Sequence, residues 1–372
     1  MEVVKLMEKD MNPKISVVIP CFRAGDYLAD AIESVLNQTE KDWELILVDN
    51  NSSKDTKLVI SKYVNLFPDK IRTIFEDVQG VCSARNKGIL ESRGTYIALL
   101  DDDDLMYPDR LRLQKDKLER NPNHVMCYGK MDKVSGDNSL ILESCVSPNT
   151  FVHFLGLSSS IAKKNSLVLD FKELMPSTMF FKKDSAIGIG LFDPHFNPCF
   201  LEDSDFCFRM SQIGEFIEVD MPIVRFRIPD KEFLKKKRIN ILEKYRLLQN
   251  QDYFLSKILK MIIKNNIDDN KNIKADLKKM KSRWLREASF DFMTIPCGIR
   301  YARILLLRSI KENAFNFKSI KHLVRTFFPQ NIREKMYKSQ QIYDEKLSLD
   351  ITEKIIREIY KSQHHCDFCN KL

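Results

Sequence analysis

Short apolar runs rich in β-branched residues, recurring between stretches of helical spacing, constrain this chain more than any other feature. Residues 15–20 read ISVVIP, 44–49 read ELILVD and 96–100 read YIALL. Runs of this length without polar alternation suit strands buried on both faces, as in a parallel sheet. Ile71–Phe75 and Val125–Gly129 supply two further strands. Between them, Asp26–Gln38 puts Leu28, Ile32, Val35 and Leu36 on one helical face. NNSSKD offers turn and N-cap residues for a helix over 55–66. Cys82–Arg93 predicts a helix closed by Gly94 at its C′ position, and Leu105–Arg120 one stopped by Asn121-Pro122. This alternation predicts an α/β fold with a Rossmann-like, doubly wound, mostly parallel sheet. Ligands of such sheets sit beyond the carboxyl ends of the strands. Pro20, Asp49 and Asp101 all fall there.

The strand at 96–100 runs straight into Asp101, Asp102, Asp103 and Asp104. Like charges this close repel and are costly where water is scarce. Two readings follow: an acidic turn ahead of the next helix, or an oxygen-only site for a hard cation such as Mg²⁺ or Mn²⁺. The position at a strand's carboxyl end favours the second.

Beyond residue 130 the pattern loosens. Met131–Ser177 is irregular, with a helix expected over Thr150–Ile161. Thr178–Lys182 reads as a strand, 188–193 as a glycine-bearing loop, Leu201–Ile213 as a helix and Phe216–Arg227 as two extended pieces around Pro222. Periodic apolar residues at Ile241–Ile263, Ile273–Phe290, Ile304–Phe317 and Ile351–Tyr360 then predict a C-terminal α-helical extension. The expected organisation is a leader at 1–13, a main domain at 14–230 and a basic helical region at 231–372. Charge supports the division: the formal +8 of the chain combines a net −8 before residue 231 with a net +16 after it. A basic region of this size expects an anionic partner. Within Ile295–Lys338, ten basic residues accompany two acidic ones. They suit either an amphipathic helix at an anionic membrane or a docked helix with a solvated face. Basic charge without a nucleic-acid module argues against nucleic acid.

Nine cysteines are scattered, several in apolar runs, and read as buried free thiols in a reducing compartment. His364, His365, Cys366 and Cys369 read as a chain-end tail, because a lone C-x-x-C lacks the second pair a zinc site needs. The N-terminal residues carry charge throughout, and no run of about 18 apolar residues occurs. The expected location is cytoplasmic, on or near the cytoplasmic face of a membrane.

Residues 14–228 resemble an inverting family-2 glycosyltransferase of the GT-A fold. The resemblance rests on SVVIPCFRAGDYLADAIESVLNQT, WELILVDNNSSKDT, GVCSARNKGILESRGTYIALLDDDDLMYPDRL, GLFDP and LEDSDFCFRM, in that order and spacing. It implies transfer of a sugar from a nucleotide-diphosphate donor, a UDP-sugar first among them, with Mn²⁺ or Mg²⁺. The family's Asp-x-Asp falls on Asp101-Asp102-Asp103. The resemblance assigns metal contact to Asp103, donor ribose or metal contact to Asp101, and the variable slot to Asp102. Asp104 either meets the donor sugar or holds the turn. The nucleoside is implied at Pro20, Phe22 and Asp49; where the family has a second acid, this chain has Asn50. Arg85 and Asn86 match the family's Ala-Arg-Asn, where the Arg85 guanidinium can pair with a carboxylate of the Asp101–Asp104 run or with the donor diphosphate. Glu202-Asp203 matches its Glu-Asp pair, making Asp203 the implied base toward an acceptor hydroxyl and Glu202 its helper. The family's Arg-x-His ends here as Arg227-x-Pro229, so any role of that histidine is missing. The implied setting is lipopolysaccharide, capsule or other polysaccharide biosynthesis, with a glycan or lipid-linked acceptor. Two rivals remain: a non-catalytic sugar-nucleotide or lipid-binding protein, and a sugar-phosphate nucleotidylyltransferase. The latter needs a glycine-rich basic loop after the first strand, and CFRAGDYL holds one glycine and one arginine.

Overall fold

The computed structural model describes residues 13–145, 174–198 and 201–228, with single positions between 250 and 319. The chain divides into two compact units, Met1–Lys236 and Lys237–Leu372. In the first unit the elements follow as β1 (Ile15–Cys21), α1 (Tyr27–Leu36), β2 (Trp43–Asp49), α2 (Lys54–Leu66), β3 (Ile71–Phe75), α3 (Val81–Glu91), β4 (Tyr96–Leu99), β5 (Leu105–Met106), α4 (Arg110–Arg120), β6 (His124–Val134), β7 (Leu140–Cys145), β8 (Phe180–Lys182), α5 (Lys183–Gly188), α6 (Glu202–Met210) and β9 (Glu215–Arg227).

They form one sheet in the order β3-β2-β1-β4-β8-β6-β9-β5, with β7 added to β6. Strands β3, β2, β1 and β4 are mutually parallel. β8 runs against β4 and β6, so β6 and its parallel neighbour β9 share the direction of the first four. Of the described strands, six therefore run one way, and β5, β7 and β8 oppose them. The mostly parallel α/β sheet expected from the apolar runs is present. Each residue of β1 is buried, as is β2 up to Val48, because helices cover both faces. Leu28, Ala31, Ile32 and Val35 of α1 pack into this core with Ile60 and Tyr63 of α2 and Leu111 and Leu118 of α4.

Several boundaries differ from expectation for non-local reasons. The helix expected from Leu105 begins at Arg110, because Leu105 and Met106 pair with Arg225 and Val224 as β5. Tyr107 N extends that pairing by donating to Ile223 O, and Pro108 keeps the residue before it extended. Gly94 is not a left-handed helix terminator. Its Cα lies against β1, where a Cβ would stand 2.5 Å from Ser16 N. Phe216–Arg227 forms one strand rather than two pieces, with Pro222 absorbed at a register shift opposite Lys130. The helix expected over Thr150–Ile161 lies outside the described residues.

In the second unit every described position is helical. Phe254, Ile258, Leu285, Ala302, Leu305 and Leu306 are buried there. The Ser282 and Ser309 hydroxyls meet at 3.0 Å, and those of Ser309 and Ser319 at 2.7 Å. The helix expected at Ile351–Tyr360 and the cysteine pair at 366 and 369 lie outside the described residues. Among the described residues, no helix is long and apolar enough to cross a membrane. Cys21, Cys82, Cys127 and Cys207 are free and buried.

Candidate active site

The carboxyl ends of β1, β2 and β4 open into a cleft of about 590 Å³, a size that suits a small-molecule ligand. It is lined by Pro20, Cys21, Phe22, Asn50, Gln79 and Gly80 and by Asp101, Asp102, Asp103 and Glu202, with Val81, Ala84 and Arg85 of α3 along the wall. The sheet thus brings most of the sequence-predicted residues to one place.

Arg85 is the link between the two acidic groups. Its Nη2 donates to Asp101 Oδ1 at 2.8 Å and its Nη1 to Glu202 Oε1 at 3.1 Å. The residue is 2% exposed and lies 5.4 Å from the Phe192 ring centroid. Burial opposes its charge, but Asp101 and Glu202 outweigh burial and hold its pKa above the ordinary value. Phe192 in turn stacks on Phe206 of α6, with centroids 4.1 Å apart. Packing thereby fixes the helix that begins with Glu202 and Asp203.

The four aspartates divide their work. Asp102 Oδ2 accepts from Phe22 N at 2.9 Å, tying the end of β4 to the end of β1. Asp102, in the variable slot, is thus tied to the backbone of the first strand's end while it lines the cleft. Burial, offset by the Phe22 bond and reinforced by the charges of Asp103 and Asp101, raises its pKa to about 7. Burial, then the neighbouring Asp101 charge, also raises Asp103. Asp104 has no exposed surface; it accepts from Ser177 Oγ at 2.5 Å and from Arg227 N at 3.0 Å. Of the two roles left open for Asp104, these bonds match holding the turn.

Three expected residues stand elsewhere. Asp49 is not among the cleft-lining residues: Oδ1 accepts from Ser52 N at 2.8 Å and Oδ2 lies 3.5 Å from Lys57 Nζ. Asn86 exchanges two hydrogen bonds, both 2.8 Å, with the main chain of Phe192, so it anchors the loop before α6 instead of facing the cleft. Asp203 sits at the first turn of α6, where Oδ1 accepts from Ser204 N at 2.6 Å.

Two asparagines brace the walls of the cleft: Asn50, which stands where the family has a second acid, and Asn197, for which the sequence offered no role. Asn50 is 3% exposed and uses its whole amide. Nδ2 donates to Glu76 O and Val78 O at 2.8 and 2.9 Å, while Oδ1 accepts from Gly80 N at 2.8 Å and from Gln79 Nε2 at 3.2 Å. Asn197 Oδ1 accepts from Cys82 N at 3.0 Å, satisfying an N–H at the start of α3. Gly80, at φ 143°, leaves room for it: a Cβ there would lie 2.2 Å from Asn197 Oδ1. The Asn-Ser-Ser run predicts a turn, but only the fold pairs Asn50 with residues 76–80.

The donor set suits a divalent ion in one respect. It is oxygen-only, with carboxylates whose pKa values are raised first by burial and then by their acidic neighbours. Among the described residues no three His, Cys, Asp or Glu side chains converge as a closed metal cage. One or two carboxylates completed by substrate phosphates is the usual arrangement for Mg²⁺.

Comparison with known proteins agrees with this architecture. The profile of glycosyl transferase family 2 matches residues 16–182. An uncharacterized glycosyltransferase of Rickettsia prowazekii is 30% identical over 254 residues, 67% of this chain and 74% of that protein. Bacillus subtilis TuaG, provisionally assigned as a teichuronic acid biosynthesis glycosyltransferase, is 31% identical over 159 residues, 42% of this chain and 60% of that protein. The S. aureus TarS 1–349 structure in complex with UDP-GlcNAc aligns with TM-score 0.53 and 14% identity, covering 89% of this chain and 93% of that one. The chain belongs to glycosyltransferase family 2, and its fold is that of the GT-A enzymes.

Proposed function

We propose that the cleft binds a nucleotide-diphosphate sugar, a UDP-sugar first, and transfers the sugar with inversion to an acceptor hydroxyl. The observation that carries this is one cleft lined by Phe22, Asn50 and Gln79 together with Asp101–Asp103 and Glu202, in which buried Arg85 joins Asp101 to Glu202. The nucleoside lies against Pro20, Phe22 and the Asn50-held wall, with Asp49 supporting the turn beneath. Asp103 and Asp101 hold Mn²⁺ or Mg²⁺. When bound, that ion neutralises charge on the departing diphosphate as a Lewis acid. Asp203 takes the proton from the acceptor hydroxyl, whose oxygen attacks the anomeric carbon from the face opposite the diphosphate. Glu202, held by Arg85, orients the helix start that carries Asp203. The name of TuaG supports a setting in polysaccharide biosynthesis; the acceptor in this reading is a glycan or a lipid-linked glycan. Residues 14–230 form the catalytic domain in this reading. The basic 231–372 region, Ile295–Lys338 above all, meets an anionic membrane at its cytoplasmic face.

A panel of sugar nucleotides, scored for Mn²⁺-dependent thermal stabilisation, tests the reading, since ligand binding raises apparent stability by mass action. Stabilisation by one donor, lost in Asp103→Ala and on chelation, is expected. Asp203→Asn then retains donor binding and loses turnover. A panel without any shift, or a shift that survives both Asp103→Ala and chelation, refutes the metal–donor reading. Undiminished function in Asp203→Asn favours the non-catalytic binding protein.

A further inference from the structure

Ser177 lies in a stretch whose sequence shows no motif, yet it occupies the point where three segments meet. It belongs to a 3-10 turn, Pro176–Thr178, that leads into β8. The residue has no exposed surface. Its Oγ accepts the Asp101 N–H at 3.0 Å and donates to Asp104 Oδ2 at 2.5 Å. The other oxygen of Asp104 accepts from Arg227 N at the end of β9. One hydroxyl therefore joins the first residue of the acidic turn to its last, and through Asp104 to β9. Within the turn itself, Asp104 N donates to Asp101 O at 3.2 Å, a long bond that gives limited restraint alone.

We propose that Ser177 is a positioning residue for the cation and diphosphate end of the cleft. It touches no reacting atom; it acts by holding the Asp101–Asp104 turn so that Asp101 and Asp103 present their carboxylates together. The argument is one of satisfaction in a buried place. Without the hydroxyl, the Asp101 N–H loses its acceptor and the buried Asp104 carboxylate keeps only the Arg227 N–H. Such groups are costly to leave unpaired, so the turn relaxes toward water or other partners. The carboxylates that ride on the turn move with it, and a site made of few protein ligands is sensitive to that displacement. A serine hydroxyl is suited to the task because it donates and accepts at once; alanine does neither, and a thiol does both weakly.

The inference rests on the assignment of Asp101 and Asp103 to a divalent cation, so the experiment separates the two. Mn²⁺ affinity of the full chain is measured in the presence of UDP by the free-Mn²⁺ spin-resonance signal, alongside the melting temperature without ligand. Asp103→Ala is expected to abolish binding. Ser177→Ala is expected to weaken it about tenfold, while Ser177→Thr, which keeps the oxygen, stays within about threefold. Ser177→Cys fills the same space with a poor hydrogen-bonding atom and carries the test should the alanine variant not fold; the same weakening is expected. Wild-type affinity in both Ser177→Ala and Ser177→Cys, with binding abolished in Asp103→Ala, overturns the proposal and leaves the metal assignment standing. Unchanged affinity in Asp103→Ala overturns the metal assignment and the proposal together.

Discussion

Replacing Asn50 by Asp restores the acid that the family carries at this position, yet the structure predicts a damaged protein. The Asn50 amide is fixed in orientation because the Gly80 N–H needs an oxygen and the carbonyls of Glu76 and Val78 need donors. A carboxylate keeps the Gly80 contact and turns its second oxygen onto two carbonyls. Two hydrogen bonds are lost, each worth about 1 kcal/mol, and a charge is held in a site only 3% exposed. Together these amount to about 2–4 kcal/mol, toward the lower end where water reaches Glu76 and Val78. Asn50→Ala removes all four amide bonds without the repulsion and costs about 3–4 kcal/mol. Urea unfolding followed by the buried Trp43, in a common Trp284→Phe background, measures both. The introduced carboxyl favours its protonated form in the fold, because a protonated oxygen can donate to one carbonyl. The Asn50→Asp penalty is thus smallest below about pH 4 and grows toward pH 8. UDP binding weakens in parallel, since Gln79 and Gly80 line the cleft. An Asn50→Asp protein within about 0.5 kcal/mol of wild type at pH 8 refutes the reasoning.

Two further outcomes follow from the acidic end of the cleft. Arg85→Lys keeps a positive charge but not the fork that reaches Asp101 and Glu202 together, so kcat/KM falls at least about tenfold; steady-state kinetics within twofold of wild type would contradict the bridging role. Asp102 has a folded pKa of about 7, above its unfolded value, so its contribution to stability is complete below about pH 4 and is lost as pH rises through about 7. In EDTA the melting temperature is expected to fall between pH 5 and pH 8, and Asp102→Asn to flatten that decline; parallel curves for the two proteins exclude Asp102 as its source.

What sequence could show here depended on the range of the interaction that decides each feature. Strands β1, β2 and β4 were legible because burial on both faces leaves an unbroken apolar run, and acids at such ends mark a ligand-binding edge. The Arg85 link to Asp101 was also readable, since an arginine one helix before an acidic turn has an obvious partner. The start of α4 was not: Leu105 and Met106 join β9, 118 or more residues onward, and no local pattern announces that pairing. Asn86 carries a motif signal but serves Phe192, because an amide that meets both N–H and C=O of one residue suits loop anchoring. Ser177 and Asn197 left no signal at all.

These long-range contacts share a feature that bears on how the site evolves. Ser177 holds the Asp turn, Asn197 caps α3, Asn86 fastens the loop before α6 and Asn50 fastens the loop before α3. Each is a short, uncharged side chain that bonds main-chain groups, and none needs a particular ligand. The charged residues Arg85, Asp101, Asp103 and Glu202 are instead grouped about the cleft, where a change of substrate alters what each must meet. Main-chain N–H and C=O groups are the same in every residue, so a side chain that satisfies them constrains backbone position without constraining neighbouring side chains. The cleft-facing positions can vary while the loops stay in place. In this chain Asn50, Asn86, Ser177 and Asn197 hold the loops around the cleft, so a change at any of them reaches the cleft through backbone position.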